Sequence, residues 1–416
     1  MRRMTNPVSA FAMALALGGA TVAVTAATSV PAMAQQGPKY SKEFVKVYKP
    51  LADIVNAATG DYAAVKPQIP AVLAAVKNED DRNAAGNLVL ILGNKLSDQA
   101  LQRQGLELML ASGKVAPERV GQFNFFVGNL AYAAKDYAGA RKALEAAAAA
   151  GYTEASPEAL IAESYFAENQ TQAGLDYLEG AMKKLQAAGK PVPEAWLLRG
   201  VKMAYEADLA PAATHWSALL ISSSPSQKTW TQGLQVVGAV NDFEPQAQLD
   251  LLRLMLDTGA MTTRGEFSMY AETADPRIMS GEVKRVLDAA VAAGVFTAND
   301  DYYKEVKRVV DSRLASQATE AASYAKEART AAKGNAALNA GDIYLSMGDW
   351  AQAEAMYALA VEKGVPDANV ALTRLGIAQA RQGKGDAAKA SFGKVTGARA
   401  PIAELWTTYV NTRPAA

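Results

Sequence analysis

The sequence predicts an all-α protein, an α-solenoid of about ten helix-turn-helix units, and three observations lead there. Alanine, the strongest helix former, is the commonest residue. Mostly apolar residues recur at offsets 0, +3, +7 and +10, which share one face of a helix with 3.6 residues per turn. The pattern restarts at anchors 62, 98, 137, 171, 209, 243, 280, 315, 350 and 385, giving spacings of 36, 39, 34, 38, 34, 37, 35, 35 and 35. Such a period holds two helices of about 12 to 15 residues and two turns. A pair that small buries its apolar face only against neighbouring pairs.

The elements follow in chain order. Arg2 and Arg3, an Ala/Leu/Val-rich run from Ala10, and small residues at Ala32 and Ala34 form a secretory signal peptide spanning 1–34. Thr and Gly interrupt the run, which falls short of the ~20 apolar residues of a membrane span. The Arg pair precedes Met-Thr-Asn, so a twin-arginine signal is not expected. Cleavage before Gln35 would release 35–416 into the periplasm, with no later segment fit for membrane insertion.

Tyr62, Val65, Ile69 and Val72 make the first copy, and Asp98, Leu101, Gly105 and Leu108 a weaker one. Residues 117–224 carry clear copies at Tyr137/Ala140/Leu144/Ala147, Thr171/Gly174/Leu178/Ala181 and Leu209/Ala212/Trp216/Leu219. Phe243 starts a copy that slips by one, through Ala247, Leu251 and Leu254, as expected if Pro245 resets the helix start. Ser280/Val283/Leu287/Ala290 is weak, and Ala315/Ala318/Ala322/Ala325 would match almost any Ala-rich helix, leaving the regularity of 257–335 open. Residues 334–397 close the series with Trp350/Ala353/Tyr357/Ala360 and Gly385/Ala388/Phe392/Val395. Gly-Asp and Lys-Asp before anchors suit a turn that caps the next helix. Nine residues before the anchor stand Gly128, Ala162, Gly200, Gly341 and Gly376, tiny residues expected to let the partner helix approach with its small +3 residue facing them.

"LNAGDIYLSMGDWAQAEAMYALAVEKGVP" and "LTRLGIAQARQGKGDAAKASFGKV" resemble the tetratricopeptide repeat, whose pattern runs W, LG, Y, then A, F, A and P. Trp196 and Trp230 fall at or near the early aromatic position. The resemblance covers most of 35–416. It implies a right-handed superhelix whose first helices line a concave groove that holds a protein or peptide partner. The groove positions lie 12, 8 and 5 residues before the anchor. Two adjacent units supply Phe125, Asn129 and Tyr132, then Ala159, Glu163 and Phe166. Phe125, Asn129, Tyr132, Glu163 and Phe166 are the candidate peptide contacts, three rings with an amide and a carboxylate to grip backbone and apolar side chains. The alternative reading makes the rings inter-repeat core. No basic residue occupies these positions, so an acidic chain end is not the expected ligand.

Composition excludes other chemistry. The 42 basic and 42 acidic residues become 40 and 42 without Arg2 and Arg3, a net charge near −2, which argues against a general nucleic-acid or anionic-membrane binder. Cysteine is absent, so there is no disulfide, thiolate metal site, cysteine nucleophile or cysteine-borne lipid. His215 is the single histidine. An HExxH site needs two, a Ser-His-Asp triad would rest on His215 alone, and beside Trp216 it reads as a partly packed surface residue.

"GKGDAA" at 383–388 mimics a dinucleotide fingerprint but follows a helical pattern, where a repeat turn explains both glycines. "NEDDRN" at 78–83 and "NDD" at 299–301 lack the EF-hand spacing and read as solvated helix-start acids. No catalytic residue, metal or cofactor is therefore expected. The sequence reads as a non-enzymatic periplasmic scaffold, with the partner and oligomeric state unassigned. Two alternatives stay open: a carboxylate-based cell-wall enzyme or subunit on an α-superhelix, and an apolar small-molecule or lipid carrier.

Overall fold

A computed structural model describes residues 37–413, so the expected signal segment 1–34 lies outside the described residues. Every described element is helical, and no strand occurs among the described residues. Helix α1 spans Lys42–Asn56. The first anchored segment is broken into α2, Tyr62–Val65, a 3₁₀ turn, and α3, Ile69–Ala74. Pro67 and Pro70 cause the break, since neither can donate to the preceding turn. Val65, Ile69 and Val72 are nevertheless buried as the template requires.

Four helix pairs follow. They are α4, Glu79–Leu96, with α5, Gln99–Ala111; and α6, Pro117–Ala133, with α7, Tyr137–Ala149. Next come α8, Pro157–Ala167, with α9, Thr171–Ala187; and α10, Glu194–Glu206, with α11, Ala210–Ser223. The same turn joins the members of each pair. One residue adopts the left-handed conformation at Ser97, Lys135, Asn169 and Asp208. The next N–H then reaches a carbonyl in the finished helix, as in Asp136 N to Ala131 O at 2.9 Å and Gln170 N to Tyr165 O at 2.9 Å. Asp98 and Asp136 cap the following helix, their carboxylates accepting from Leu101 N at 3.2 Å and Gly139 N at 2.9 Å. The spacing of anchors is thus the recurrence of one turn. Later copies place Gly348 and Gly383 at the left-handed position, where glycine carries no steric penalty. Gly383 thereby takes "GKGDAA" into a helix-helix turn.

The tiny residues face something other than expected. A Cβ on Gly128 or Gly341 would meet Leu144 at 2.5 Å or the Tyr357 ring at 2.6 Å, and Gly200 and Gly376 lie under Trp216 and Phe392. The tiny residue makes room for the bulky +7 side chain, with the small +3 residue contributing only its backbone at Gly128.

Beyond α11 the chain continues through α12, Gln227–Val240; α13, Pro245–Asp257; α14, Arg264–Ala274; and α15, Ser280–Ala292. Helix α13 begins at Pro245, capped by Glu244, which accounts for the one-residue slip after Phe243. The anchor at Ala315 is a correction. It lies inside α16, a continuous helix over Asp301–Thr330. That segment contains no Gly, Pro or Asn, the residues that most readily break a helix or adopt the left-handed conformation, and no residue in it has a positive φ. The chain ends with α17, Asn335–Met347; α18, Trp350–Lys363; α19, Ala368–Arg381; α20, Gly385–Phe392; and α21, Ala400–Thr412.

The apolar core is a series of clusters along the chain, the largest joining residues from Ala218 to Tyr409. That cluster exists because α21 packs back on α11 and α13. Trp406 is fully buried there, its Nε1 donating to the Asp250 carbonyl at 3.0 Å.

A buried ionic lattice accompanies the closure. The Asp250 carboxylate accepts from Arg253 at 2.6 Å and Arg374 at 3.4 Å, and pairs with Arg399. Arg253 also forks onto Glu282 at 2.7 and 2.8 Å, while Arg374 Nη1 donates to both Asp342 oxygens at 2.8 and 2.7 Å. Burial alone would raise the Asp250 and Glu282 carboxyls, but the surrounding guanidiniums outweigh it and leave both below their ordinary values.

The helix-start acids act as caps. Asn78 caps α4 and Asp300 caps α16. Asp81 departs from the solvated reading: it is fully buried and accepts from Ser41 N at 2.9 Å, Ser41 Oγ at 2.7 Å and Lys77 N at 3.0 Å.

Candidate functional site

The five candidate groove residues divide by burial. Phe125 is 6% exposed, covered by Tyr152 of the α7–α8 loop at 5.1 Å between ring centroids. Phe166 is 7% exposed and occupies the space left by the missing side chain of Gly174. The expectation that both rings are reachable from a groove is therefore corrected: they fill contacts between helices. Asn129 is exposed, and Tyr132 and Glu163 are half-buried at the surface.

Glu163 joins this face through a residue outside the original set. Arg199 of α10 donates to it from Nε at 2.5 Å and Nη2 at 2.6 Å and lies over the Phe166 ring at 5.4 Å. The hydrogen bonds to Glu163 raise the Arg199 pKa, and partial burial raises that of Tyr132, with the Glu163 charge adding to it. The face does contain a base, contrary to the reading from two units, but its charge is neutralised by Glu163. Tyr132, Glu163 and Phe166 are thus brought together around Arg199. Asn129 stands one turn from Tyr132 on α6, and Phe125 is withdrawn into the core.

From Arg199 the same face runs on into a cleft of about 480 Å³ between α10 and α12. Leu198, Val201 and Tyr205 form one wall, Val236 and Ala239 the other, and buried Leu220 lies beneath. Leu198 and Tyr205 are 38% and 48% exposed, high for such apolar bodies. Gln232 supplies the polar feature. Its Oε1 is buried and has no hydrogen-bond partner. A buried acceptor left without a donor is costly, and Gln232 is one of the residues lining the cleft. Gln235 also lines the cleft and donates to Glu266 of α14 at 3.1 Å.

Leu198, Tyr205 and Gln232 were missed because the family register names positions 12, 8 and 5 before the anchor, which here hold Leu197, Val201 and Ala204 in the third unit. Leu197 and Ala204 are core. The available signal was an exposed-face run of Leu198, Lys202 and Tyr205 on a helix whose opposite face was already occupied by Trp196 and Gly200.

His215 has Nε2 3.2 Å from Glu179 and Nδ1 3.6 Å from Glu404 of α21. It joins two carboxylates at the closure, an arrangement of packing and charge with no hydroxyl nucleophile in its hydrogen bonds. Among the described residues no cluster of three His, Cys, Asp or Glu side chains could hold a metal, and no helix is long and apolar enough to cross a membrane. No protein-family model matches the chain, and no curated protein matches it by sequence.

Proposed function

We propose that this protein is an exported tetratricopeptide-like scaffold that binds an extended peptide segment of a protein partner along α6, α8, α10 and α12. The helix pairs would stack as an α-solenoid, a reading supported by the recurrence of one left-handed turn at six of the anchors. Export to the periplasm rests on Arg2, Arg3 and the small residues before Gln35.

The observation that carries the binding site is the unpartnered Gln232 Oε1 at an open apolar cleft. An extended peptide offers a main-chain N–H to that acceptor and an apolar side chain to the walls formed by Leu198, Val201, Tyr205 and Val236. The neutralised Arg199–Glu163 pair beside it favours a segment without strong charge of either sign.

Panning a random-peptide display library against the purified chain tests this reading. Enrichment of sequences sharing an apolar residue, displaced by one another in competition, is the expected result. No enrichment over a helical control protein would contradict it.

A further inference from the structure

A second cleft, of about 330 Å³, opens where α13, α14, α15, α18, α19 and α21 converge. None of its lining residues belongs to the α10–α12 cleft. Three arginines line it, Arg285, Arg381 and Arg413, against one carboxylate, Asp257. That carboxylate is already engaged by Arg381, from Nε at 2.9 Å and Nη2 at 3.1 Å. Arg381 Nη1 is buried with no partner, on a side chain only 9% exposed.

Arg285 is no better matched. Among the described residues its hydrogen bonds go to main-chain carbonyls, Ser346 at 2.7 Å and Gly281 and Leu345 at 3.3 Å. Among the described residues Arg413 donates to the Ala380 carbonyl, at 3.5 Å, and lies over the Tyr409 ring at 4.8 Å. The nearby Glu282 is spent on Arg253 and on the Tyr270 hydroxyl, which donates to it at 2.6 Å. Burial lowers the Arg285 pKa, as expected of a cation short of compensating charge. The fully buried arginines of this body, Arg253, Arg374 and Arg399, all hold carboxylates, whereas Arg285 is half-buried and Arg413 is exposed at the mouth of the cleft. The described cleft lining therefore carries three guanidiniums against one carboxylate, with Arg381 Nη1 and the half-buried Arg285 lacking a carboxylate partner of their own.

Aromatic rings back the guanidiniums. Arg285 and Arg381 sit over the Trp350 ring at 5.4 and 4.8 Å, the edge of Tyr409 stands beside them, and the fully buried Tyr270 closes the floor. We infer that this cleft binds a small oxyanion, a carboxylate or phosphate group carried on a flat apolar body. The guanidiniums of Arg285 and Arg413, with the free Nη1 of Arg381, would donate to the oxygens of either head group, and the Trp350 and Leu256 side chains would take the body. The volume lies within the roughly 300–1,000 Å³ of small-molecule sites.

Calorimetric titration of the full purified chain with benzoate, phenyl phosphate and benzamide tests the assignment. Benzoate and phenyl phosphate separate the two head groups, and benzamide keeps the shape without the charge. Saturable binding of at least one anion is expected, with benzamide at least about tenfold weaker. Arg285→Gln and Arg413→Gln should each weaken the anion about tenfold or more, while Lys202→Gln, in the other cleft, should not. Arg413 is exposed, so its variant keeps the fold, and a melting curve checks Arg285→Gln. The proposal is overturned if neither anion binds with Kd below about 1 mM, if benzamide binds equally well, or if both arginine variants bind as the parent does. Since the two clefts share no residue, failure here leaves the peptide reading standing, and the reverse.

Discussion

Asp250 has no solvent contact, yet three arginines from three helical segments converge on its carboxylate and backbone neighbourhood. Removing that charge leaves Arg253, Arg374 and Arg399 partly uncompensated, so Asp250→Asn should cost about 3–5 kcal/mol in denaturant unfolding. Because Asp250 and Glu282 titrate lower in the folded chain than their ordinary 3.8 and 4.5, the unfolded chain binds more protons in acid. Their contribution is fully present above about pH 5 and falls away as pH drops, and Asp250→Asn should flatten that acid limb. An equal pH dependence in parent and variant would contradict the pairing. Gly341 acts by size instead. With the Tyr357 ring 2.6 Å from where a Cβ would stand, Gly341→Leu should destabilise by about 1–3 kcal/mol despite the better helix propensity of leucine. A variant more stable than the parent in a melting experiment would refute that packing. The tiny residues were readable as contact points because they recur at a fixed offset. The charges were not, because "LDLLRLML" reads as an apolar helix with two stray polar residues until the partners, 124 and 149 residues away, are brought to Asp250.

Nine anchors mark a helix start to within two residues, whereas Ala315 lies in the interior of α16. The difference is local chemistry. The other pair-forming turns at Ser97, Lys135, Asn169, Asp208, Gly348 and Gly383 each take one left-handed residue, and α16 has neither that residue nor a helix-breaking one. Apolar spacing alone cannot distinguish one long Ala-rich helix from two short ones, so a template match without a turn signal carries no boundary. Packing of α16 depends on Gln317, which is 2% exposed. Its Oε1 accepts from Gly281 N at 2.9 Å and its Nε2 donates to Ile278 O at 2.9 Å, joining α16 to the start of α15. Gln317→Ala would strand both main-chain groups, and urea unfolding should show a loss of about 1–3 kcal/mol. No change in the midpoint would mean α16 is held by its apolar face alone.

At the scale of the whole molecule, the repeating pairs of the first half give way to a body in which α21 returns to α11 and α13. Nothing in the periodicity announces this, because the closing contacts join residues more than 100 positions apart through side chains outside the template. The chain has no native cysteine, so the closure can be tested with two introduced ones. His215 and Glu404 approach to 3.6 Å, and a His215→Cys/Glu404→Cys variant should be joined almost completely by a short bismaleimide. Two independently modified thiols would contradict the closure. Of the first-helix positions read from the sequence, Asn129, Tyr132 and Glu163 lie at the surface, while Phe125 and Phe166 belong to the core and the open cleft lies one unit further on. The most direct test of peptide binding at that cleft compares affinity with stability, using the peptide selected by panning on Gln232→Leu and Tyr205→Ala. Loss of the lone acceptor or of an exposed aromatic wall should weaken binding about tenfold or more, with melting unchanged or, for Gln232→Leu, higher. Unchanged affinity in both variants, or a fall in affinity that tracks a fall in melting temperature, would contradict the account.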